Sequence, residues 1–408
     1  MGCPDPSSYG EFTRALHAKL GGKRWPATGT IEMTWRCNLS CAHCYNNLPA
    51  GNVAARRAEL TREEHFRILD EVADAGCLWL LYTGGEIFTR RDFLEVYEYA
   101  KRKGFLVTLF TNGTAVTPRI ADFLAEWRPF RIETTLYGRT RETYERFTGV
   151  PGSYDRCMRG VRLLVDRGLP LSLKTVVTAI NRHELGAMKR FAERELGVKF
   201  RFDAMVNARL DGAPGPAALR LRPEEIVALD LGDRARRREW DKALATHQAV
   251  VPGDGGRPSL YSCGGGVHGF AVDPYGTLRI CALSTGDGYD LRTGNFREGW
   301  EQTLGRVRAK PATRRTKCTD CTLKMFCGMC PAMGELEHQD AERAVEPFCE
   351  VGHLRAVALG VPIPAHGHCA YCPGGSLHAA LLAKAERLPV SAASLDETAP
   401  SIAVAGQS

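Results

Sequence analysis

The grouping of its cysteines constrains this chain more than any other feature of the sequence. Of 15 cysteines in 408 residues, three form a tight group, Cys37, Cys41 and Cys44, with the spacing Cys-x3-Cys-x2-Cys. Three thiolates in a short loop suit a four-iron cluster, which usually takes four cysteines, one per iron. One iron would then stay open, and an open coordination position is where a bound metal does chemistry.

A structural zinc site is the alternative for this group, with His43 as its fourth ligand. His43 is the immediate neighbour of Cys44 in the chain. Adjacent residues seldom turn both side chains onto one ion. The spacing therefore favours an iron–sulfur cluster over zinc.

Length and composition exclude several classes of protein. A chain of 408 residues is long enough for one large α/β domain and a smaller one. It has no run of the roughly 18 to 20 apolar residues that cross a bilayer, so we expect no membrane partner. Met1 to Lys23 is polar and charged throughout, unlike a secretory signal. The cysteines are therefore expected to be reduced thiols or metal ligands in the cytoplasm.

The net charge of +7 is compatible with ordinary solubility. It would also give a basic surface for an acidic electron donor or an acidic leader peptide. The dense basic run from Arg234 to Arg238 lies beside Glu239 and Asp241 on a predicted solvated helix. We therefore expect no nucleic-acid partner.

Strand and helix patterns alternate from residue 30 to about residue 206. The predicted strands are Thr30–Trp35, Cys77–Tyr82, Phe105–Thr111, Arg131–Tyr137, Leu171–Thr178 and Lys199–Val206. The predicted helices are one that begins at Thr61 with a capping box, Phe93–Lys101, and stretches near 117–127, 153–167 and 184–196. This alternation predicts an α/β fold with a parallel sheet and right-handed crossovers. Periodicity alone leaves open whether the sheet is doubly wound or a partial barrel.

Three loops follow strands at the rim where parallel sheets bind their ligands. Cys37 follows the first strand by two residues. Thr83-Gly-Gly-Glu86 follows the second strand, where glycines allow close backbone approach and Glu86 offers a carboxylate to an ammonium group. Thr111-Asn-Gly-Thr114 follows the third. Alone, the last two loops would be ordinary turns. Beside the cysteine group they predict a cofactor site.

The segment from Thr34 to Tyr45, TWRCNLSCAHCY, resembles the signature of the radical S-adenosylmethionine (SAM) enzymes. The resemblance implies a partial (β/α)6 TIM-type barrel in which Cys37, Cys41 and Cys44 hold a 4Fe-4S cluster. In that family the open iron holds the amino and carboxylate groups of SAM. One electron then splits the sulfonium to give a 5′-deoxyadenosyl radical. The implied cofactor-binding residues are His43 within the signature, Gly84, Gly85 and Glu86 at the SAM amino group, and Thr111 and Asn112 near the ribose.

A second cysteine group follows the predicted core and consists of Cys263, Cys281, Cys318, Cys321, Cys327, Cys330 and Cys349. It resembles the SPASM extension, the auxiliary-cluster domain of many radical SAM enzymes, although Cys330 follows Cys327 by one residue fewer than is usual. The resemblance implies one 4Fe-4S cluster on Cys318, Cys321, Cys327 and Cys349. A second cluster would use Cys263, Cys281 and Cys330, with its fourth position filled by another group or left open. Two zinc ribbons are the alternative, but the interleaved order fits them poorly.

The sequence thus predicts a domain order of N-terminal extension, radical SAM core, connector, cysteine-rich SPASM domain and flexible tail, at 1–27, 28–210, 211–262, 263–355 and 356–408. The tail contains Cys369 and Cys372, with His366 and His368 nearby. These residues could bind a metal, supply the missing cluster ligand or form a redox pair. A dispensable tail is equally compatible with the sequence.

Enzymes with a SPASM extension mostly modify ribosomally synthesised peptides, so the resemblance implies an oxidoreductase that crosslinks, epimerises or oxidises a peptide. Sulfatase maturation, oxidation of a quinone-cofactor precursor and tetrapyrrole modification in the haem pathway are alternatives. Outside catalysis, the alternative is an iron–sulfur electron-transfer scaffold.

The expected partners are a precursor peptide and a flavodoxin or ferredoxin-type electron donor. About 28 residues precede the first predicted strand, too few for the usual leader-binding domain. We therefore expect a separate PqqD-like protein, or direct recognition of the leader. Lys174, Asp203, Asn207 and Arg209 lie on or after the last two predicted strands and could line a substrate cavity, although ordinary polar residues of the rim are equally compatible with the sequence. The sequence identifies no definite substrate-binding residue and no general base.

Overall fold

The computed structural model describes residues 6–245, 258–366 and 368–388. The predicted tail beyond residue 388 and part of the predicted connector therefore lie outside the described residues. None of the described helices is long and apolar enough to cross a lipid bilayer.

A mixed sheet of nine strands organises the described chain. In chain order the strands are β1 (Thr28–Thr34), β2 (Arg36–Cys37), β3 (Leu48–Pro49), β4 (Trp79–Gly84), β5 (Leu106–Thr111), β6 (Arg131–Thr135), β7 (Leu171–Val176), β8 (Lys199–Asp203), β9 (Gly269–Val272), β10 (Thr277–Arg279) and β11 (Tyr289–Asp290). The large sheet has the order β11-β10-β9-β1-β4-β5-β6-β7-β8, and β2 pairs separately with β3. β1 and β4 to β8 are parallel throughout. The predicted α/β partial barrel with six parallel strands is therefore confirmed.

Helices α3, α4, α5, α7 and α8 connect successive strands of the barrel. The α-helices are α1 (Pro6–Leu20), α2 (Val53–Ala58), α3 (Arg62–Asp74), α4 (Phe93–Arg102), α5 (Pro118–Glu126), α6 (Arg141–Thr148), α7 (Ser153–Asp166), α8 (Leu185–Arg190), α9 (Pro223–Gly232), α10 (Arg234–Ala245), α11 (Phe296–Glu298), α12 (Gly305–Ala309), α13 (Lys324–Cys327), α14 (Pro331–His338), α15 (Glu346–Ala358) and α16 (His378–Glu386). Short 3-10 or π turns occupy Ile87–Thr89, Arg182–Glu184, Phe191–Glu195, Gly215–Leu219 and Gly299–Leu304.

The capping box predicted at Thr61 is present at the start of α3. Thr61 Oγ1 accepts a hydrogen bond from the Glu64 amide, and the Glu64 carboxylate accepts one from the Thr61 amide. These bonds satisfy backbone donors that no preceding turn can satisfy. They fix the helix that leads into β4.

The inner face of the barrel is less buried than the sequence predicts. The continuous apolar run Cys77–Tyr82 predicts a strand buried on both faces, but within β4 only the alternate residues Leu80 and Tyr82 are buried in the core. Leu81 instead lines a cavity on the inner face. The two-sided prediction is wrong because the barrel interior is open at this point.

The cysteine-rich region continues the barrel sheet. β9 pairs in parallel with the free side of β1, and β10 and β11 extend it in antiparallel fashion. Phe270 of β9 is buried and packs on Phe296 of α11, with ring centroids 4.7 Å apart. The predicted radical SAM core and SPASM segment thus share one sheet.

The described part of the predicted flexible tail folds onto α15. Leu381 of α16 is buried, and Lys384 forms an ion pair with Glu350 of α15 at 2.5 Å. Cys369 and Cys372 are also buried, in the turns before α16. The described residues between 356 and 388 therefore add a packed layer next to the second cysteine group.

Candidate active site and metal centres

A cavity of about 660 Å³ opens at the carboxyl ends of the parallel strands. Its walls include all three cysteines of the first group, the Thr83–Gly85 loop and the Thr111–Asn112 loop. The strand order brings these loops together, because β1, β4 and β5 are neighbours in the sheet. The sequence prediction of one site on this rim rests on the same geometry.

The loop that carries the three cysteines is fixed at its middle and at the residue before it. The amide of Ser40 donates to the Thr148 carbonyl at 2.8 Å, and the amide of Ala42 donates to the Phe147 carbonyl at 3.0 Å. Before the loop, the Arg36 guanidinium forms a buried two-point ion pair with Glu59, at 2.8 and 2.9 Å. Arg36 thus has a structural role inside the signature segment.

The sulfur atom of Cys37 has polar N–H groups close by. The Leu39 amide donates to Cys37 Sγ at 3.4 Å, and Asn112 Nδ2 lies 3.6 Å from the same atom. Such N–H···S contacts tune iron–sulfur clusters. Burial raises the pKa of Cys37 to about 12 and also raises the pKa of Cys41 and Cys44. A bound cation favours the thiolate form that burial alone opposes.

The two glycines of the second loop are required by the backbone of the first. Gly84 has a φ of +124°, and a Cβ added there would lie 2.2 Å from the Thr34 carbonyl oxygen. A Cβ on Gly85 would lie 2.3 Å from the Arg36 carbonyl oxygen. The Gly85 amide donates to the Thr34 carbonyl at 2.6 Å. The glycines therefore let the second loop lie directly against the strand that leads to Cys37.

Glu86 is fully buried and does not line the cavity. Its carboxylate accepts hydrogen bonds from Thr111 Oγ1 at 2.8 Å, the Asn112 amide at 2.7 Å and the Phe88 amide at 3.2 Å. The sequence predicts that this carboxylate faces an ammonium group. In the structure it joins the second loop to the third.

Replacing Glu86 by glutamine should flatten the pH dependence of stability. Burial raises the pKa of Glu86 to about 7. The folded chain therefore holds this proton more tightly than the unfolded chain, and the stabilisation it gives at low pH is lost as pH rises through about 7. As pH rises from 5 to 8, the free energy of unfolding of the wild type should fall by up to about 3 kcal/mol more than that of Glu86→Gln. Urea unfolding across this range measures the difference.

The matched control for this experiment is Glu126→Gln, at an exposed position of α5. Its stability should follow the wild-type curve. Parallel curves for wild type and Glu86→Gln would contradict the burial argument. The quantity to compare is the slope of the free energy of unfolding against pH. Its absolute value also changes in Glu86→Gln, because the glutamine amide alters the hydrogen bonding at every pH.

Thr111 and Asn112 link the second loop to the cysteine loop. Asn112 Nδ2 donates to Asn38 Oδ1 at 2.9 Å, and Asn38 Nδ2 donates to Thr114 Oγ1 at 2.8 Å. Both Thr111 and Asn112 line the cavity, where the sequence predicts the ribose contact. The sequence pattern does not single out Asn38, although it lies next to Cys37.

His43 lines the cavity beside the cysteines. Its ring packs between Tyr137 and Phe147, with centroid distances of 5.2 and 4.9 Å. Burial lowers the pKa of His43 to about 4, so the ring is neutral. Its Nδ1 has no hydrogen-bond partner among the described residues. The orphaned nitrogen is compatible with a contact to a bound cofactor.

Charged residues form the far wall of the cavity. Lys174 lies 3.4 Å from Glu133, and Arg201 also forms an ion pair with Glu133. Burial lowers the pKa of Lys174 to about 7, although Glu133 opposes the shift. Of the four residues that the sequence suggests as cavity residues, Lys174 and Asp203 line the cavity, whereas Asn207 and Arg209 do not. Arg201, which lines the cavity, and its ion-pair partner Glu133 were not predicted from the sequence.

The seven cysteines of the second group lie in two neighbourhoods. Cys263 and Cys330 are near Cys281 and raise its pKa, after the larger effect of burial. Cys318 and Cys327 act in the same way on the pKa of Cys321, again after burial. Cys321, Cys330 and Cys349 line a shared cavity of about 90 Å³.

Helix α15 packs closely against the second neighbourhood. A Cβ on Gly352 would lie 2.6 Å from Cys327 Cβ, so glycine allows α15 to approach α13. Cys349 and His353 are one turn apart on α15, and His353 is buried. The 14 described cysteines are all free thiols.

Residues 31–192 match the family model of the radical SAM superfamily. The chain contains a radical SAM domain. This radical SAM enzyme is 28% identical to an AdoMet-dependent heme synthase of Methanosarcina barkeri over 346 residues, which cover 78% of this chain and 94% of that protein. It is 27% identical to the mycofactocin maturase MftC of Mycobacterium tuberculosis over 321 residues, 74% of this chain and 75% of that protein.

The fold of this radical SAM enzyme is similar to that of Streptococcus suis SuiB bound to its precursor peptide SuiA. The TM-score is 0.61 with 16% sequence identity, and the match covers 85% of this chain and 82% of SuiB. Its relatives thus include SPASM-type maturases, as the sequence predicts. Its cofactors are a 4Fe-4S cluster and SAM, and the cysteine-rich C-terminal region indicates auxiliary clusters.

The residues of the cavity fit this cofactor pair. Three thiols line it, two N–H groups approach one sulfur, and a buried imidazole nitrogen stays unpaired. Thiolates are the usual ligands of iron–sulfur clusters.

Proposed function

We propose that this enzyme holds a 4Fe-4S cluster on Cys37, Cys41 and Cys44, cleaves SAM there and modifies a ribosomally synthesised peptide in the same cavity. The observation that carries the proposal is that the three cysteines, the two cofactor loops and the charged far wall share one cavity. When bound, the cluster and SAM supply a 5′-deoxyadenosyl radical that removes a hydrogen atom from the substrate. The protein supplies binding, orientation and exclusion of water.

The wall of the cavity contains apolar residues, which exclude water, and charged residues, which can bind the substrate. Leu81 and Phe110 form an apolar patch on the inner strand faces, which would keep water from a reactive carbon centre. Lys174 and Arg201 share Glu133, so each cation could exchange that partner for a substrate carboxylate or carbonyl. A peptide offers both kinds of group.

The cavity also reaches the second cysteine group, since Ala282 lines it next to Cys281. An auxiliary cluster on that side would lie where an electron left on the substrate can be removed. Similarity to the mycofactocin maturase and to SuiB supports a peptide substrate. A flavodoxin or ferredoxin-type donor and a separate PqqD-like leader-binding protein remain part of this proposal.

Tetrapyrrole modification is the second candidate. It is supported by the alignment with the Methanosarcina barkeri heme synthase over nearly all of that protein. The paired cations Lys174 and Arg201 would also suit the side-chain carboxylates of a tetrapyrrole.

Anaerobic turnover with both substrate classes separates the two candidates. Enzyme with reconstituted clusters, a reductant and SAM is incubated with either a short peptide encoded beside this gene or iron coproporphyrin. We expect the peptide alone to raise 5′-deoxyadenosine formation, with loss of two hydrogens or deuterium uptake from solvent in its mass spectrum. Stimulation and decarboxylation of iron coproporphyrin alone would establish the second candidate and overturn the first.

A further inference from the structure

We propose that His353, His366, Cys369 and Cys372 bind one zinc ion, separate from the core and auxiliary clusters. Each residue offers one ligand atom, and the four atoms lie within 4.8 Å of one another. His353 comes from α15, and the other three come from the turns that precede α16. Among the described residues, this is the group of histidine, cysteine and carboxylate side chains that converges most tightly.

The distances between ligand atoms match the edges of a zinc tetrahedron. Zinc bonds of about 2.3 Å to sulfur and about 2.05 Å to nitrogen at tetrahedral angles place N and S about 3.6 Å apart. His353 Nε2 lies 3.3 Å from Cys372 Sγ and 3.5 Å from Cys369 Sγ. His366 Nδ1 lies 3.2 Å from Cys372 Sγ.

The hydrogen bonding of His353 prepares it as a ligand. Its Nδ1 lies 2.7 Å from the Cys349 carbonyl oxygen, which can accept the ring N–H. Nε2 then carries the lone pair and points at both thiols. A backbone carbonyl that orients the other ring nitrogen in this way is typical of metal-bound histidine. His366 differs from His353, because the same nitrogen, Nδ1, lies closest to Cys372 Sγ and also 3.1 Å from the Pro364 carbonyl oxygen, while its Nε2 lies 3.9 Å from that sulfur.

The donor set favours one ion over an iron–sulfur cluster. Two thiols and two imidazoles converge at this point, which is a common tetrahedral set for structural zinc. A cubane cluster spreads its ligands over four irons, so its ligand atoms lie farther apart. Cys369 and Cys372 are 5% and 2% exposed, and a closed, buried site is the structural kind of zinc site.

The position of the proposed zinc site indicates a structural function for the ion. It joins His366, Cys369 and Cys372 to α15, the helix that carries Cys349 of the predicted auxiliary cluster. Cys369 forms a hydrogen bond with Cys349, which raises the pKa of the Cys349 thiol. Zinc would draw Cys369 to its own site and leave Cys349 to the neighbouring cluster. It would also fasten α16 over that region.

Metal analysis of the full-length enzyme tests this assignment. The chain is reconstituted anaerobically with iron and sulfide, supplied with zinc, desalted, and assayed for both metals. Wild type should hold about one zinc ion per chain, and Cys372→Ser and His366→Ala should each lose most of it without losing iron. His368→Ala is the matched control, because His368 is exposed in the same turn and should leave zinc unchanged.

Two results would overturn the proposal. Zinc content that is the same in Cys372→Ser as in wild type would show that these residues do not hold it. A loss of about four iron atoms per chain in that variant would assign the group to an auxiliary cluster instead. Zinc-edge X-ray absorption of wild type tests the site without any variant. We expect two sulfur and two nitrogen neighbours, and an all-oxygen shell would exclude the site.

Discussion

Replacing Cys37 by alanine is expected to lower 5′-deoxyadenosine formation by far more than about 100-fold, because loss even of a second-shell partner of a metal ligand lowers activity by 10- to 100-fold. Cys37 lines the cavity with Cys41 and Cys44, and Asn112 approaches its sulfur. Two thiolates hold a cubane poorly, so about four iron atoms per chain should be lost as well. Iron analysis and chromatography of the nucleoside product measure both effects.

Cys77→Ala provides the control for that experiment. Cys77 is also buried next to the sheet, where its thiol contacts the Ala27 carbonyl at 3.5 Å. It should keep its full iron content and its rate of SAM cleavage. If Cys37→Ala retained both its iron and its turnover, the core cluster would have to lie elsewhere.

Replacing Gly85 by alanine should strongly destabilise the protein. A methyl group there would lie 2.3 Å from the Arg36 carbonyl oxygen, and backbone cannot move aside as a side chain can. The second loop would have to shift away from the cysteine loop. We expect a loss of about 3 kcal/mol or more in stability, which lowers Tm by about 3 °C or more. Calorimetry and equilibrium SAM binding measure the two consequences.

Gly51→Ala is the matched substitution, since a Cβ at Gly51 meets no atom within 4 Å. It should leave Tm and SAM binding close to those of wild type. If Gly85→Ala were as stable as the wild type, the two loops could move apart without any loss of stability. Close packing of the two loops would then no longer explain the paired glycines.

The fold of the barrel was predictable because its signals are local. The capping box at Thr61 and the apolar runs of the six strands each lie within a few residues of the chain. Parallel order and right-handed crossovers then follow from general rules. The addition of β9 to β1 was not predictable, because residues 28 and 269 are paired by tertiary structure alone.

The candidate site also has features that the sequence predicts and features that depend on tertiary packing. The spacing of Cys37, Cys41 and Cys44 and the glycines after β4 are visible in the sequence. The orientation of Glu86 is not, because it depends on hydrogen bonds to a loop that follows a different strand. The convergence of His353 with Cys369 and Cys372 likewise depends on how α15 packs.

The pairing of β9 with β1 bears on any attempt to isolate the catalytic half of this protein. A fragment that stopped before residue 263 would leave the first barrel strand with one unpaired edge of amide and carbonyl groups. Exposed edges of that kind recruit other chains, so such a fragment should self-associate. The two halves are better regarded as a single folding unit, and shortened versions for crystallography or engineering should preserve both.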